Sequence, residues 1–217
     1  MSNSQKRIAA LVLAAGLSKR MGMQKLLLPW RESTIIEAVI QTVFDAGIYA
    51  IYVVTGSCHA QVSDLLKAKP VSIVYNSNYE TGEMISSIKC GLSSLSQIEA
   101  DAVMVFLGDQ PQIEKNIILA LLEKYEKDKP FIIIPSYHNR RGHPILIPRD
   151  KWQEIIGLPT GATLKDWIND NKEHLSYLVW DNPGMLMDID TPEDYQQFTS
   201  SLLKDEKSET DGRYMEI

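Results

Sequence analysis

Cysteine is scarce: Cys58 and Cys90 are the only two in 217 residues, and they lack metal-ligand or redox-pair spacing. That excludes a disulfide framework and leaves two reduced, structural thiols. Aromatic residues make up 8%, and Trp30, Trp152, Trp167 and Trp180 are too dispersed for a base-stacking ladder, so they read as core or interface anchors. Positive charge is not in excess. The formal net charge of -6 disfavours nonspecific attraction to nucleic acid or an anionic membrane. No apolar run is long enough to span a bilayer, and the polar start Met1 to Arg7 leads into an apolar segment that its following loop needs as a strand. A cytoplasmic protein with no nucleic-acid or membrane partner is therefore expected. His138, His143 and His174 show no zinc spacing. Repeats, the Walker pattern and the GxGxxG fingerprint are also missing, Gly22 being followed by Met23-Gln24-Lys25.

What is present is an alternation of strands and helices. Ile8 to Ala15 is continuously apolar, as a buried parallel strand should be. Thr34 to Gly47 carries Ile35, Ile36, Val39, Ile40, Val43 and Phe44 at helical spacing. Strands are expected at Tyr49 to Thr55, Val71 to Tyr75, Ala102 to Leu107, Phe131 to Pro135 and Leu175 to Val179, with a returning strand at Ile145 to Ile147. Helices are expected at Gln61 to Ala68, from Met84 or Ile85 through Leu95, and at Ile117 to Tyr125, Trp152 to Ile156, Thr163 to Asn169 and Tyr195 to Leu203. This order predicts a single Rossmann-like α/β domain over residues 1–203, three layers around a mostly parallel sheet, followed by a polar tail at 204–217. Ligands of such sheets gather beyond the carboxyl ends of the strands.

Three segments carry chemistry. The first strand empties into Gly16-Leu17-Ser18-Lys19-Arg20-Met21-Gly22 and then Lys25, a glycine-bounded basic loop suited to a polyphosphate. Asp109 follows the strand ending at Leu107, between Gly108 and Gln110-Pro111, and its carboxylate suits a hard cation or a helix cap. Asp188 and Asp190 alternate with Met187 and Ile189, so both project from one face of an extended segment. Thr191 caps a helix starting at Pro192, which accounts structurally for Glu193 and Asp194. Asp109 and Asp190 together would position Mg2+ against a phosphate whose charge Arg20 and Lys25 neutralise.

These blocks, LAAGLSKRMGMQKLLLPW at Leu13 to Trp30, VTGS at Val54 to Ser57, GDQP at Gly108 to Pro111, RRGHPILI at Arg140 to Ile147 and DIDTPEDY at Asp188 to Tyr195, resemble those of the MobA-like nucleotidyltransferases, most closely the molybdenum cofactor cytidylyltransferase branch. The resemblance implies transfer of CMP from CTP, with Mg2+, to a molybdopterin-type acceptor, and a molybdenum hydroxylase as recipient of the product. It assigns nucleotide contacts to Leu13, Ala14, Ala15, Gly16, Ser18, Arg20, Lys25, Thr55, Gly56, Gly108 and Asp109, catalysis to Arg20, Lys25 and Asp109, and the metal to Asp109 and Asp190. Asn78, Gly82, Met84, Ser86, Arg140, Arg141 and His143 fall to the acceptor. The Ala14-Ala15 pair is similar to the CTP-using branch, whereas guanylyl-transferring relatives more often have two glycines there. Thr160 to Thr163 departs from the family's Gly-Asp-x-Gly-Ala-Arg pattern. Two other readings remain open: nucleotidyl transfer to a different phosphorylated small molecule, from GTP or another donor, and a nonenzymatic chaperone for the molybdenum cofactor.

Overall fold

The computed structural model describes residues 7–128 and 131–200. Its elements run β1 (Ile8–Ala14), β2 (Pro29–Trp30), β3 (Ser33–Thr34), α1 (Ile35–Asp45), β4 (Ala50–Thr55), α2 (His59–Leu66), β5 (Ser72–Tyr75) and α3 (Glu83–Leu95). Then come β6 (Ala102–Leu107), α4 (Lys115–Lys127), β7 (Ile132–Tyr137), β8 (Arg140–Arg141), β9 (Ile145–Pro148), α5 (Trp152–Ile156), α6 (Leu164–Asp170) and β10 (Leu175–Val179). Residues 192–200 form a further helix, α7. The last three residues of the expected final helix and the tail lie outside the described residues, as does Met1 to Lys6.

The main sheet has the order β10-β7-β9-β6-β1-β4-β5, with β8 paired to β7. Strand β1 is central, parallel to β4 on one side and to β6 on the other. The returning strand β9 runs antiparallel to β6 and β7, so the sheet is mostly parallel and the Rossmann-like architecture holds. The short β2–β3 hairpin has no counterpart in the periodicity. Two-residue strands carry too little pattern to be legible.

Period-2 alternation builds the three layers. In β1, Ala10, Val12 and Ala14 belong to one buried cluster with Ile36, Ile40, Phe106 and Leu121, under α1 and α4. Ala9 and Leu11 belong to the other, with Ile88, Leu92, Trp152 and Trp167, under α3, α5 and α6. Full burial of a Val or Leu side chain is worth about 1.5–3 kcal/mol, and with Val12 buried on one side and Leu11 on the other this strand is held from both faces. Gly91 lets α3 come close: a Cβ there would lie 2.2 Å from Leu11 Cδ1. Trp30, Trp152 and Trp167 are buried, as expected of anchors.

Local signals set the helix ends. Thr34 and Glu37 form a capping box at the start of α1, each side chain accepting from the other's backbone amide. Thr163 caps α6 by accepting from the Asp166 amide at 3.1 Å, which gives the departing Thr160 to Thr163 segment a structural use. Thr191 accepts from the Asp194 amide at 3.2 Å, as anticipated for α7. The segment Ser136 to Arg141 is a hairpin, His138 and Asn139 both adopting positive φ at its turn. Among the described residues no helix is long and apolar enough to cross a membrane.

Candidate active site

The parallel strands β1, β4 and β6 end on one edge, where the basic loop, the Gly56 turn and the Asp109 loop follow them. The basic loop is pinned by its own backbone: the Met21 and Gly22 amides donate to the Ser18 carbonyl at 3.1 and 3.2 Å, and Met21 is buried beneath. Gly22 closes this turn at φ +69°, a conformation that costs a side-chain-bearing residue more. Ser57 Oγ donates to the Gly16 carbonyl at 2.8 Å, tying the loop to the β4 edge.

The Gly108 amide donates to the Leu13 carbonyl at 2.9 Å, extending the β1–β6 pairing to Asp109. The Ile189 amide then donates to the Asp109 carbonyl at 3.3 Å. Because Ile189 is fully buried, alternation sends Asp188 and Asp190 the other way, toward the cavity. Their roles diverge. Asp190 accepts from Lys25 Nζ at 2.9 Å and from Arg20 Nη2 at 2.6 Å, while Asp188 accepts from Gln110 Nε2 at 2.7 Å.

Lys25 also donates to Asp109 Oδ2, so one ammonium bridges two carboxylates from distant segments. Its side chain is 11% exposed, against 20% for Asp109 and 26% for Asp190. Burial alone would lower the ammonium pKa, but the Asp109 and Asp190 charges and hydrogen bonds outweigh it and hold the pKa above 10.5. Asp188 shifts upward, through desolvation by its surroundings and then the Asp109 and Asp190 charges.

These groups border a cavity of about 490 Å³. Of the expected nucleotide and metal residues, Leu13, Ala14, Ala15, Gly16, Ser18, Arg20, Lys25, Asp109 and Asp190 line it. Thr55, Gly56 and Gly108 do not. Thr55 is fully buried, with Oγ1 2.7 Å from His59 Nδ1, and a Cβ on Gly56 would meet the Ala15 carbonyl at 2.6 Å. These residues stand behind the wall and support it. Asp188, one of the two alternating carboxylates the sequence offered for a metal, lines the cavity as well, and so do Tyr79, Glu80, Glu83 and Ser87, which the sequence did not single out. Only Asp188 had a readable signal, its alternation with Asp190.

A second cavity of about 900 Å³ adjoins the first, and Met84 lines both. Arg140, Arg141 and His143 line it together with Lys165 and Tyr177, over a floor that includes Ile145, Leu164 and Ile168. Arg141 is fixed in place: Nε and Nη2 donate to the Tyr177 hydroxyl at 3.0 and 2.7 Å, and Nη1 to Asn169 Oδ1 at 2.7 Å. His143 Nε2 is buried without a hydrogen-bond partner among the described residues, and burial pushes the imidazole down to about 4. At neutral pH it offers hydrogen bonding without charge. Asn78, Gly82 and Ser86 line neither cavity; they shape the turn into α3, the Gly82 amide donating to the Asn78 carbonyl at 2.9 Å.

A basic loop and converging carboxylates at the carboxyl edge of a parallel sheet define a protein that handles nucleotides. The MobA-like NTP transferase domain matches residues 10–175, and the chain belongs to that family. It is 25% identical over 189 residues to the molybdenum cofactor cytidylyltransferase of Escherichia coli K12, covering 87% of this chain and 93% of that one. A probable molybdenum cofactor guanylyltransferase of Bacillus mycoides KBAB4 is 29% identical over 144 residues, 62% of this chain and 70% of its own. Among solved structures, a nucleotidyl transferase from Methanothermobacter shares the fold with a TM-score of 0.78 at 24% identity, covering 91% of this chain and 98% of that chain. The activity is of the nucleotidyltransferase type, directed at a phosphorylated small molecule.

Proposed function

We propose that this protein transfers a nucleoside monophosphate to a phosphate-bearing acceptor of the molybdopterin type, with CTP as donor. The observation that carries the reading is the pair of adjoining cavities: one holds the basic loop and the Asp109–Lys25–Asp190 cluster, the other the arginines and an uncharged histidine. The triphosphate lies across the Gly16 to Gly22 loop. An acceptor phosphate oxygen bonds to the α-phosphorus as the bond from that phosphorus to pyrophosphate breaks. The acceptor is already ionised near neutrality, so no protein base is required. Arg20 and Lys25 stabilise the charge accumulating on the departing pyrophosphate. In the second cavity, Arg140 and Arg141 hold the acceptor phosphate and His143 hydrogen-bonds its heterocycle.

Mg2+ fits Asp109 and Asp190, whose oxygens already converge on one cation. Among the described residues no group of three or more His, Cys, Asp or Glu is arranged to hold a metal ion, so the other ligands would come from phosphate and water, the usual arrangement for this ion. When bound, it supplies charge stabilisation to the phosphate oxygens.

The donor base rests on the Ala14-Ala15 pair. The similarity to a guanylyltransferase supports the wider reading, in which GTP or another donor serves a different phosphorylated acceptor. Pyrophosphate release with purified molybdopterin-type acceptor, measured with CTP and with GTP, tests both. Faster release with CTP is expected. A GTP preference moves the protein to the wider reading, and tight pterin binding without pyrophosphate release would make it a carrier.

A further inference from the structure

We propose that Lys25 is a stand-in cation: in the free protein its ammonium occupies the place between Asp109 and Asp190, and it must leave those carboxylates before a divalent cation can bind them. The inference rests on the reading of Asp109 and Asp190 as the metal pair. Lys25 Nζ is hydrogen-bonded to both carboxylates at once, and its side chain is only 11% exposed. Two partly buried carboxylates drawn together without a cation would repel each other. Asp188 places a third acid beside the same cavity. The free protein therefore needs a positive charge at this point, and Lys25 provides it.

The place cannot hold both cations. A divalent ion bound at about 2.0–2.1 Å from carboxylate oxygens would stand against the ammonium that those same oxygens contact. Lysine is suited to moving aside, being a compact charge on a flexible stem. Arg20, whose side chain is 71% exposed, holds the outer oxygen of Asp190 in the same provisional way. The donor's phosphates would give both cations somewhere to go, since Arg20 and Lys25 line the same cavity as the Gly16 to Gly22 loop proposed to hold them. Metal and nucleotide then enter as one charge-balanced exchange, and the free protein discriminates against free divalent ions.

The test uses Mn2+ alone, titrated into the metal-free protein without nucleotide and read by electron paramagnetic resonance. A ligand whose competent state is only fractionally populated loses affinity by that fraction, so removing the competitor in Lys25→Met should tighten Mn2+ binding by about tenfold or more. Lys19→Met removes the same charge from the same cavity, where Lys19 forms no ion pair among the described residues, and should change the affinity by less than about twofold. In the wild type, Mn2+ should also speed chemical labelling of the Lys25 amine, read by mass spectrometry, a measurement that needs no variant to fold. Unchanged or weaker Mn2+ binding in Lys25→Met, an equal gain in Lys19→Met, or Lys25 labelling unmoved at saturating Mn2+ would overturn the inference and leave the metal pair standing. Failure of both wild type and Lys25→Met to bind Mn2+, with CTP or without it, would instead overturn the metal pair and the inference with it.

Discussion

Asp109→Asn separates chemistry from stability at one position. The substitution keeps the side-chain shape and removes the charge. Lys25 is not left unpaired, because Asp190 still accepts from it at 2.9 Å. With side-chain exposures of 11% and 20%, the lost pair lies between exposed ion pairs, worth about 0–1 kcal/mol, and deeply buried ones, whose disruption costs about 3–5 kcal/mol. Removing the Asp109 charge also relieves its repulsion on Asp188, so a net loss of about 1 kcal/mol is expected. In a chain of this size that lowers Tm by about 2–4 °C. Loss of a preorganised electrostatic group at the reacting phosphate should cost about 10²–10³ in turnover. Pyrophosphate release at saturating donor and Mg2+, with thermal denaturation of the same preparation, measures both. Turnover within about tenfold of wild type would remove Asp109 from the mechanism, and a Tm drop beyond about 10 °C would make it a structural residue.

Three more outcomes follow from the packing. Because burial holds the His143 imidazole at about 4 against an ordinary 6.5, the unfolded chain takes up its proton first as pH falls. Stability should therefore decline between pH 6.5 and 4, by about 3 kcal/mol in all; urea midpoints across that window should fall less in His143→Gln, and parallel curves would refute the assignment. Gly91→Ala gains about 1 kcal/mol of helix propensity but drives a methyl into Leu11 Cδ1, at an overpacking cost of about 1–3 kcal/mol. A net loss is expected that shrinks when Leu11→Val is added, and additive effects would show that α3 simply shifts. Arg141→Lys cannot reproduce the fork onto Tyr177 and Asn169; steady-state kinetics should show the acceptor KM up by about tenfold with the donor KM unchanged, whereas a matching rise for the donor would contradict the division between cavities.

Much of the architecture was legible because it repeats locally. The unbroken apolar run of β1, the 3.6-residue spacing of Ile35 to Phe44, and the strand–helix alternation required a covered parallel sheet, and the sheet edge then located the basic loop and Asp109 without coordinates. Thr191 was legible as a helix start because capping is chemistry between residues three apart, and the structure shows Thr34 and Thr163 capping in the same way. Thr55 and Gly56 could not be placed from their motif alone, since both stand beside the first cavity without lining it.

The sequence alone therefore determined the layers, the edge that carries the site and the family, each of which follows from short-range pattern or from blocks in a recognisable order. Which acid meets which base was decided only by the tertiary structure. Strand order brings β1, β6 and the segment before α7 together, the burial of Ile189 aims Asp190 at Lys25, and the second cavity is assembled from α3, β7, β8, β9, α6 and β10. These pairings join residues far apart in the chain, and no local periodicity encodes them.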